Sequence, residues 1–136
     1  MINVLIDTNI ILDIALQRRN FSQYSGEFLK YVNQKNYRPF LSATTITDIY
    51  YVLKKSKGHQ HTVDFIGNLL QFVEVAGVNK DIVMSALASK SPDFEDAIQA
   101  ETAKTHGIEI IVTRNTSDFK NTGITPVTPQ DFVKQY

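Results

Sequence analysis

Near its amino terminus the chain reads Val4-Leu5-Ile6-Asp7-Thr8-Asn9-Ile10-Ile11-Leu12-Asp13. The first three residues are apolar without interruption, as in a central strand of a parallel sheet that is covered on both faces. Polar residues begin at Asp7, and apolar residues return at Ile10, Ile11 and Ile14 with helical spacing. The stretch predicts a strand, a tight turn and a helix. Because ligands of open α/β sheets bind beyond the carboxyl ends of the strands, Asp7 is predicted to lie at the functional edge.

The rest of the chain continues to alternate strands with helices. Apolar runs bounded by turn residues predict further strands over 37–41, 72–76, 108–112 and 125–127. Helical spacing predicts helices over 9–17 and 62–70, and others that begin near Ser22, Ser42, Asn79, Pro92 and Thr128. Residues 113–123 are predicted to form a polar loop. Such alternation favours a parallel sheet with helices on both faces. We therefore predict an α/β fold, a three-layer α/β/α sandwich with a central parallel sheet, as a single domain over residues 1–136.

The composition restricts the classes of function. The chain has 136 residues, of which 14 are basic and 14 acidic, so its formal net charge is zero. Any contact with nucleic acid must therefore rest on a local patch of charge. The absence of cysteine excludes disulfides and thiolate metal sites. No apolar run approaches the roughly 20 residues of a membrane span, and no leader precedes the first strand. We expect a soluble, cytoplasmic protein that makes no membrane contact.

Four aspartates are predicted to lie near the carboxyl ends of strands. Asp7 ends the first strand, Asp48 lies in the first turns of the helix after the second, Asp96 lies near the start of a later helix, and Asp118 follows the fourth strand. Carboxylates that are brought together repel one another, and a hard cation such as Mg²⁺ or Mn²⁺ relieves the repulsion. Two such ions favour in-line hydrolysis of a phosphodiester. That reaction needs no covalent intermediate and no organic cofactor.

Three segments, taken together, resemble those of PIN domains. They are Leu5-Ile6-Asp7-Thr8-Asn9 before an apolar helix, Asp96-Ala97-Ile98-Gln99-Ala100, and Ile111-Val112-Thr113-Arg114-Asn115-Thr116-Ser117-Asp118-Phe119. The resemblance covers essentially the whole chain and keeps the order of the motifs. It implies an α/β/α nuclease that uses Mg²⁺ or Mn²⁺ and is similar to VapC-like toxins. Such toxins cleave RNA, are held inactive by a cognate antitoxin and commonly form homodimers.

The resemblance also implies which acids bind metal and catalyse. Carried over by position, it assigns Asp7, Asp96 and Asp118 to the metal site. The family usually has a glutamate in the helix after the second strand, and Asp48, which is one methylene shorter, stands at that place. Asp93 is a further candidate metal ligand, although an N-cap is the simpler interpretation of an aspartate at a helix start.

Supporting residues follow from the same resemblance. Arg114 is predicted to meet a phosphate, because its planar fork suits that group. Asn115 stands where some relatives have an aspartate, which favours Asp118 as the acid. The residues expected to orient carboxylates or waters are Thr8, Asn9, Ser42 and Thr113. Two nearby acids are expected outside the site: Asp13 in solvent, and Glu95 pointing elsewhere on its helix.

Other functions remain open beside an RNA-cleaving toxin. A catalytically weak PIN-like module that binds RNA or protein is favoured by Asp48 and Asn115. A phosphoryl-accepting domain fits poorly, because the aspartate-nucleophile phosphatase pattern requires a second aspartate where Asn9 stands. The partners we expect are RNA, a cognate antitoxin and a second copy of the chain. Apolar side chains near the first helices, which are Ile14, Phe21 and Tyr24, are candidates for a protein contact.

Overall fold

A parallel sheet forms the centre of the structure, a computed structural model that describes residues 1–34 and 36–136. Within these residues the strands are β1 (Ile2–Ile6), β2 (Tyr37–Ser42), β3 (Glu74–Ala76), β4 (Ile110–Val112) and β5 (Thr125–Val127). The strand order is β3-β2-β1-β4-β5, and every neighbouring pair is parallel. The predicted central parallel sheet is confirmed.

Helices cover both faces of this sheet. They are α1 (Thr8–Ala15), α2 (Ser22–Val32), α3 (Ala43–Lys57), α4 (His59–Leu69), α5 (Lys80–Ala88), α6 (Phe94–Thr105) and α7 (Pro129–Gln135). The side chains of β1 show why two layers of helices are needed. Val4 and Ile6 pack into one core with Phe28 of α2, whereas Leu5 packs into a second core with Ala103 of α6. All three strand residues are fully buried.

The position of β1 determines where Asp7 lies. β1 pairs with β2 on one side and with β4 on the other, so it is the middle strand of the described sheet. The backbone N–H of Asp7 donates to the carbonyl of Val112 at 3.0 Å, which carries the pairing with β4 to the last residue before α1. Asp7 is therefore held at the carboxyl edge of the sheet, where Thr113 leaves the neighbouring strand.

Two predicted strands begin later than expected, for the same physical reason. The N–H of Phe72 donates to Leu69 in a turn at the end of α4, so β3 starts at Glu74 rather than at Phe72. The N–H of Ile108 donates to Ala103 at the end of α6, so β4 starts at Ile110. In both places a backbone N–H that a longer strand would use for a sheet hydrogen bond is donated to a carbonyl at the end of the preceding helix.

Several predicted helix starts are corrected as well. Asp93 accepts from the N–H of Asp96 and caps α6, so Pro92 lies before the helix rather than in its first turn. Ser22 is the first residue of α2 and not its cap. Gly58, with φ at 82°, ends α3 and leads directly into α4, which therefore begins before Thr62.

The predicted polar loop 113–123 contains a short 3₁₀ helix, Thr116–Phe119. Phe119 is buried in the core between the sheet and α6, and this apolar anchor orders the segment that carries Asp118. The predicted caps Asn79 and Thr128 are confirmed, since each side chain accepts a backbone N–H of its helix. No helix among the described residues has both the length and the apolar character to span a membrane.

We expect Phe132→Ala to lower the free energy of unfolding by about 3–5 kcal/mol, the usual cost of a large cavity in a core. Phe132 is fully buried, and its ring meets that of Phe28 edge to face at 5.3 Å between centroids. Chemical denaturation measures the change. Phe94→Ala, at a side chain that is 50% exposed, serves as the control and should change stability by less than about 0.5 kcal/mol. Equal effects of the two substitutions would contradict the packing described here.

Candidate active site

The carboxylate of Asp7 is buried and held from two directions. Gln99 of α6 donates from Nε2 to Oδ1 at 3.0 Å, and Thr113 after β4 donates from its hydroxyl to Oδ2 at 2.8 Å. Asp7 is only 5% exposed, and this burial raises its pKa, although both hydrogen bonds act in the opposite direction. Each oxygen accepts one side-chain hydrogen bond from the described residues, and a backbone hydrogen bond from Thr8 also lowers the pKa of this carboxyl.

A cleft of about 400 Å³ opens beside Asp7 at the carboxyl edge of the sheet. Six acidic residues from separate parts of the chain line it: Asp7, Asp48, Asp93, Glu95, Asp96 and Asp118. The remaining lining residues are Thr8, Asn9, Leu12, Arg18, Tyr51, Val52, Gln99 and Asn115. The topology therefore brings all five acids that the sequence assigned to the metal site into one cavity.

Burial and mutual repulsion shift the protonation of these acids. The pKa of Asp96 is raised from 3.8 to about 7, mainly by burial and then by the charges of Asp93, Asp7, Asp118 and Glu95. Burial raises the pKa of Asp48. The pKa of Glu95 is raised chiefly by the charge of Asp48. Raised pKa values at several acids in one cleft mean that the arrangement of carboxylates is costly without a positive partner.

The residues predicted to support the acids divide into two groups. Thr8, Asn9 and Asn115 line the cleft, and Thr113 contacts Asp7 from the side of the sheet. Ser42 is fully buried and shares a hydrogen bond with the hydroxyl of Thr44 at 2.9 Å, outside the cleft lining.

Arg114 also lies outside the cleft lining. Its Nε atom is 3.4 Å from Oδ2 of Asp13, and its guanidinium group lies 4.0 Å above the centre of the Phe21 ring. Its charge is nevertheless close enough to Asp7 to lower the pKa of that carboxyl slightly against the effect of burial. The predicted contact of Arg114 with a phosphate therefore stays a prediction.

Two expectations about nearby acids are wrong. Asp13 is fully buried rather than solvated, because Arg18 and Arg114 both approach its carboxylate. Glu95 lines the cleft rather than pointing away from it. Since α6 begins at Phe94, Glu95 lies in its first turn, and the charge of Asp48, which lines the same cavity, raises its pKa.

Two polar residues of the site were missed in the sequence. Gln99 follows Asp96 by three residues, a spacing that places both on one face of a helix, and this signal was available. Arg18 lies beyond the end of α1 and is held at the cleft by its contacts with Asn9 and Asp13. No spacing in the sequence indicates those contacts.

The donor set fits a hard divalent cation. Its ligating atoms are carboxylate oxygens, which Mg²⁺ and Mn²⁺ prefer. Among the described residues, no three histidine, cysteine or acidic side chains are grouped closely enough to enclose an ion together. Mg²⁺ usually takes one or two protein carboxylates and retains several waters, so it does not need such an enclosure. Asp7 and Asp96, with raised pKa values, are the carboxylates that would gain most from a cation.

Comparison with known proteins gives relatives over nearly the whole chain. A family model described as PIN domain matches residues 3–117. Ribonuclease VapC1 of Aquifex aeolicus (strain VF5) is 28% identical over 137 residues, which cover 98% of this chain and 94% of that protein. A toxin-antitoxin complex from Klebsiella pneumoniae contains a chain that is 27% identical, with a TM-score of 0.69 over 93% of this chain and 97% of that chain.

A further solved structure supports the fold alone. VapBC2 from Rickettsia felis, bound to a DNA fragment from its promoter, contains a chain that matches with a TM-score of 0.74. The match covers 93% of this chain and 98% of that chain at 15% identity. It confirms the predicted three-layer α/β/α architecture.

We expect Asp96→Asn to stabilise the metal-free protein at about pH 8 and to change little at about pH 4. The folded-state pKa of Asp96, about 7, lies above its ordinary value of 3.8. The native state therefore holds this proton more tightly than the unfolded chain, and the wild type loses stability as pH rises through that window. Because the side chain is half-buried and screened by solvent, we expect a gain on the order of 1 kcal/mol.

Denaturation at several pH values, with a chelator present, tests this expectation. Asp64→Asn, at an exposed aspartate of α4 outside the cleft, is the matched control and should show no such pH dependence. A loss of stability of equal size at both pH values in Asp96→Asn would contradict the proposed repulsion.

Proposed function

We propose that this chain, which belongs to the PIN domain family, is a metal-dependent endoribonuclease that hydrolyses phosphodiester bonds in RNA. The observation that carries the proposal is the convergence of acids from distant parts of the chain around the buried carboxylate of Asp7. The similarity to ribonuclease VapC1 supports RNA as the substrate.

Mg²⁺ or Mn²⁺ would be held directly by one or two of Asp7, Asp96 and Asp118 and through waters by the remaining acids, with Asp48 and Asp93 as further acids of the same cleft. When bound, such an ion supplies charge stabilisation to the phosphate and lowers the pKa of a bound water. Gln99 and Thr113 fix the direction of both oxygens of Asp7. Asp96, with a pKa of about 7, holds a proton in part of the molecules at neutral pH and releases it as a cation binds.

The same proposal includes partners. We propose that the chain is the toxin of a toxin-antitoxin pair, acts in the cytoplasm and forms a homodimer. A chain of the toxin-antitoxin complex from Klebsiella pneumoniae is 27% identical to this one, which supports an antitoxin partner. Of the apolar residues proposed for a protein contact, Phe21 and Tyr24 are 39% and 42% exposed, whereas Ile14 is half-buried.

Cleavage of total cellular RNA by the purified protein tests the activity. We expect fragments with Mg²⁺ or Mn²⁺, none with a chelator, and a loss of more than roughly 100-fold in rate for Asp7→Asn, which removes a charge beside the metal. Asp64→Asn, outside the cleft, controls for the loss of an aspartate elsewhere.

The outcomes distinguish the possible functions. Absence of both cleavage and a metal-induced rise in melting temperature would contradict the nuclease and favour the binding module, for which the shorter Asp48 is the supporting feature. Metal stabilisation without cleavage would support the metal site and indicate a narrow substrate that is absent from that RNA pool. Cleavage that persists in Asp7→Asn would contradict the assignment of this carboxylate.

We expect Thr113→Val to lower kcat/KM for RNA roughly 10- to 100-fold, the usual effect of removing a residue that orients a metal ligand. The substitution removes the hydroxyl that donates to Oδ2 of Asp7 at 2.8 Å and keeps the volume of the side chain. Thr113→Ser keeps the hydroxyl and should retain most of the activity. Equal kcat/KM values for the valine and serine variants would show that this hydrogen bond does not contribute to RNA cleavage.

A further inference from the structure

Arg18 supplies positive charge to a cleft that is otherwise acidic. Among the described residues that line the cleft, it is the single one with a positive charge, beside six acids. Its side chain is 31% exposed. An RNA strand that enters this cleft carries its own negative charge, and repulsion by the acids opposes its entry. A positively charged side chain in the lining of the cleft would therefore reduce this repulsion.

The guanidinium group of Arg18 is fixed in place by two contacts. Its Nη1 atom donates to Oδ1 of Asn9 at 3.1 Å and to Oδ1 of Asp13 at 3.2 Å. The Asp13 side chain is fully buried, so Arg18 is bound to an acceptor whose movement is restricted by packing. Arg114 lies 3.4 Å from the other oxygen of Asp13. Two guanidinium groups share one carboxylate, and the cluster keeps a net charge of about +1 beside the acids.

The contacts of Arg18 leave its other donors available. Both of its side-chain hydrogen bonds to described residues use Nη1. Nε and Nη2 have no partner among those residues, and neither is a buried unpaired atom. These two nitrogens form the side of the guanidinium fork that binds two oxygens of a phosphate at once.

We propose that Arg18 binds a phosphate group of the RNA backbone next to the acidic cluster, and that Asp13 is the positioning residue that holds it there. This inference rests on the proposed function, since it names a substrate contact of the same site. The sequence predicts Arg114 for this contact. In the structure Arg114 directs Nε at Asp13 and packs over Phe21, outside the cleft lining.

Binding of a fluorescently labelled, single-stranded RNA, followed by anisotropy in the presence of a chelator, tests the proposal. We expect Arg18→Gln to weaken binding roughly 10- to 100-fold, the effect of losing a charged hydrogen bond. The slope of log K against log salt should become shallower by about 0.7, the contribution of one phosphate contact in a single strand. Arg19→Gln, at the exposed neighbouring arginine outside the cleft, is the matched control and should change neither quantity.

Two further variants separate charge from geometry. Arg18→Lys keeps the charge but not the fork, so we expect it to restore the salt slope and only part of the affinity. Asp13→Asn should raise KM for RNA cleavage while kcat changes little, because a backbone contact contributes equally to substrate and transition state. A purely structural defect would instead lower the fraction of active protein and leave KM unchanged, whereas the melting temperature falls in either case because a buried ion pair is lost.

The outcomes are separable from those of the proposed function. If the wild type cleaves RNA and Arg18→Gln binds it as Arg19→Gln does, this inference is overturned and the nuclease stands. If Arg114→Gln shows the loss of affinity and of salt slope instead, the phosphate contact belongs to Arg114 and the assignment to Arg18 is overturned. If the wild type shows neither RNA cleavage nor a metal-induced rise in melting temperature but binds RNA through Arg18, the inference holds and the catalytic proposal fails. If the wild type neither binds nor cleaves RNA, both are overturned.

Discussion

An ionised carboxylate inside a protein is costly unless donors pair with it, and the site is built around this constraint at Asp7. The residue is 5% exposed, and its two oxygens accept from Gln99 of α6 and from Thr113 after β4. The backbone of Asp7 is tied to Val112 as well. These contacts exist only when β1, β4 and α6 are assembled, because each comes from a different part of the chain. The carboxylate therefore depends on the complete fold for its position.

The other acids add a second cost, which the fold does not remove. Asp96 has a pKa of about 7, and the charges of four neighbouring carboxylates contribute to this value. A cluster of this kind lowers the stability of the protein and persists because the site requires it, the common compromise between stability and activity.

Beside the cleft, the negative charge of Asp13 is balanced by arginine side chains rather than left among other acids. Asp13 is buried between Arg18 and Arg114, and this cluster carries an excess of positive charge. Among the described residues, the lining of the cleft thus combines six acids with one arginine, Arg18.

Features that depend on the order of neighbouring residues along the chain were predicted correctly from the sequence. The unbroken apolar run of β1 predicted a strand with both faces covered, and Val4, Leu5 and Ile6 pack into cores on opposite faces. The predicted convergence of Asp7, Asp48, Asp96 and Asp118 at one edge followed from the fold class and the resemblance to PIN domains, and the cleft contains all four. Their catalytic use remains a prediction.

The sequence was not sufficient where the outcome depends on tertiary contacts or on a helix boundary. Neighbouring residues of an α-helix are about 100° apart, so Glu95 was expected on a different face from Asp96, yet at the first turn of α6 the open cleft is lined by both. The sequence predicts Asp13 as an exposed polar residue of α1, and its burial is explained by the contacts with Arg18 and with Arg114, which follows β4. The position of Arg18 in the cleft depends on that same buried carboxylate, so both were missed together.

The strand order has a consequence for how the protein is made. β1 is translated well before its partner β4, since Val4 pairs with Ile110. A nascent chain that already carries Asp7 lacks Thr113 and Asp118 until the segment around β4 has been made. Pairing of segments so far apart in sequence also slows folding. The cleft around Asp7 therefore cannot assemble until the segment that carries β4 has been made, although Asp7 itself is translated much earlier.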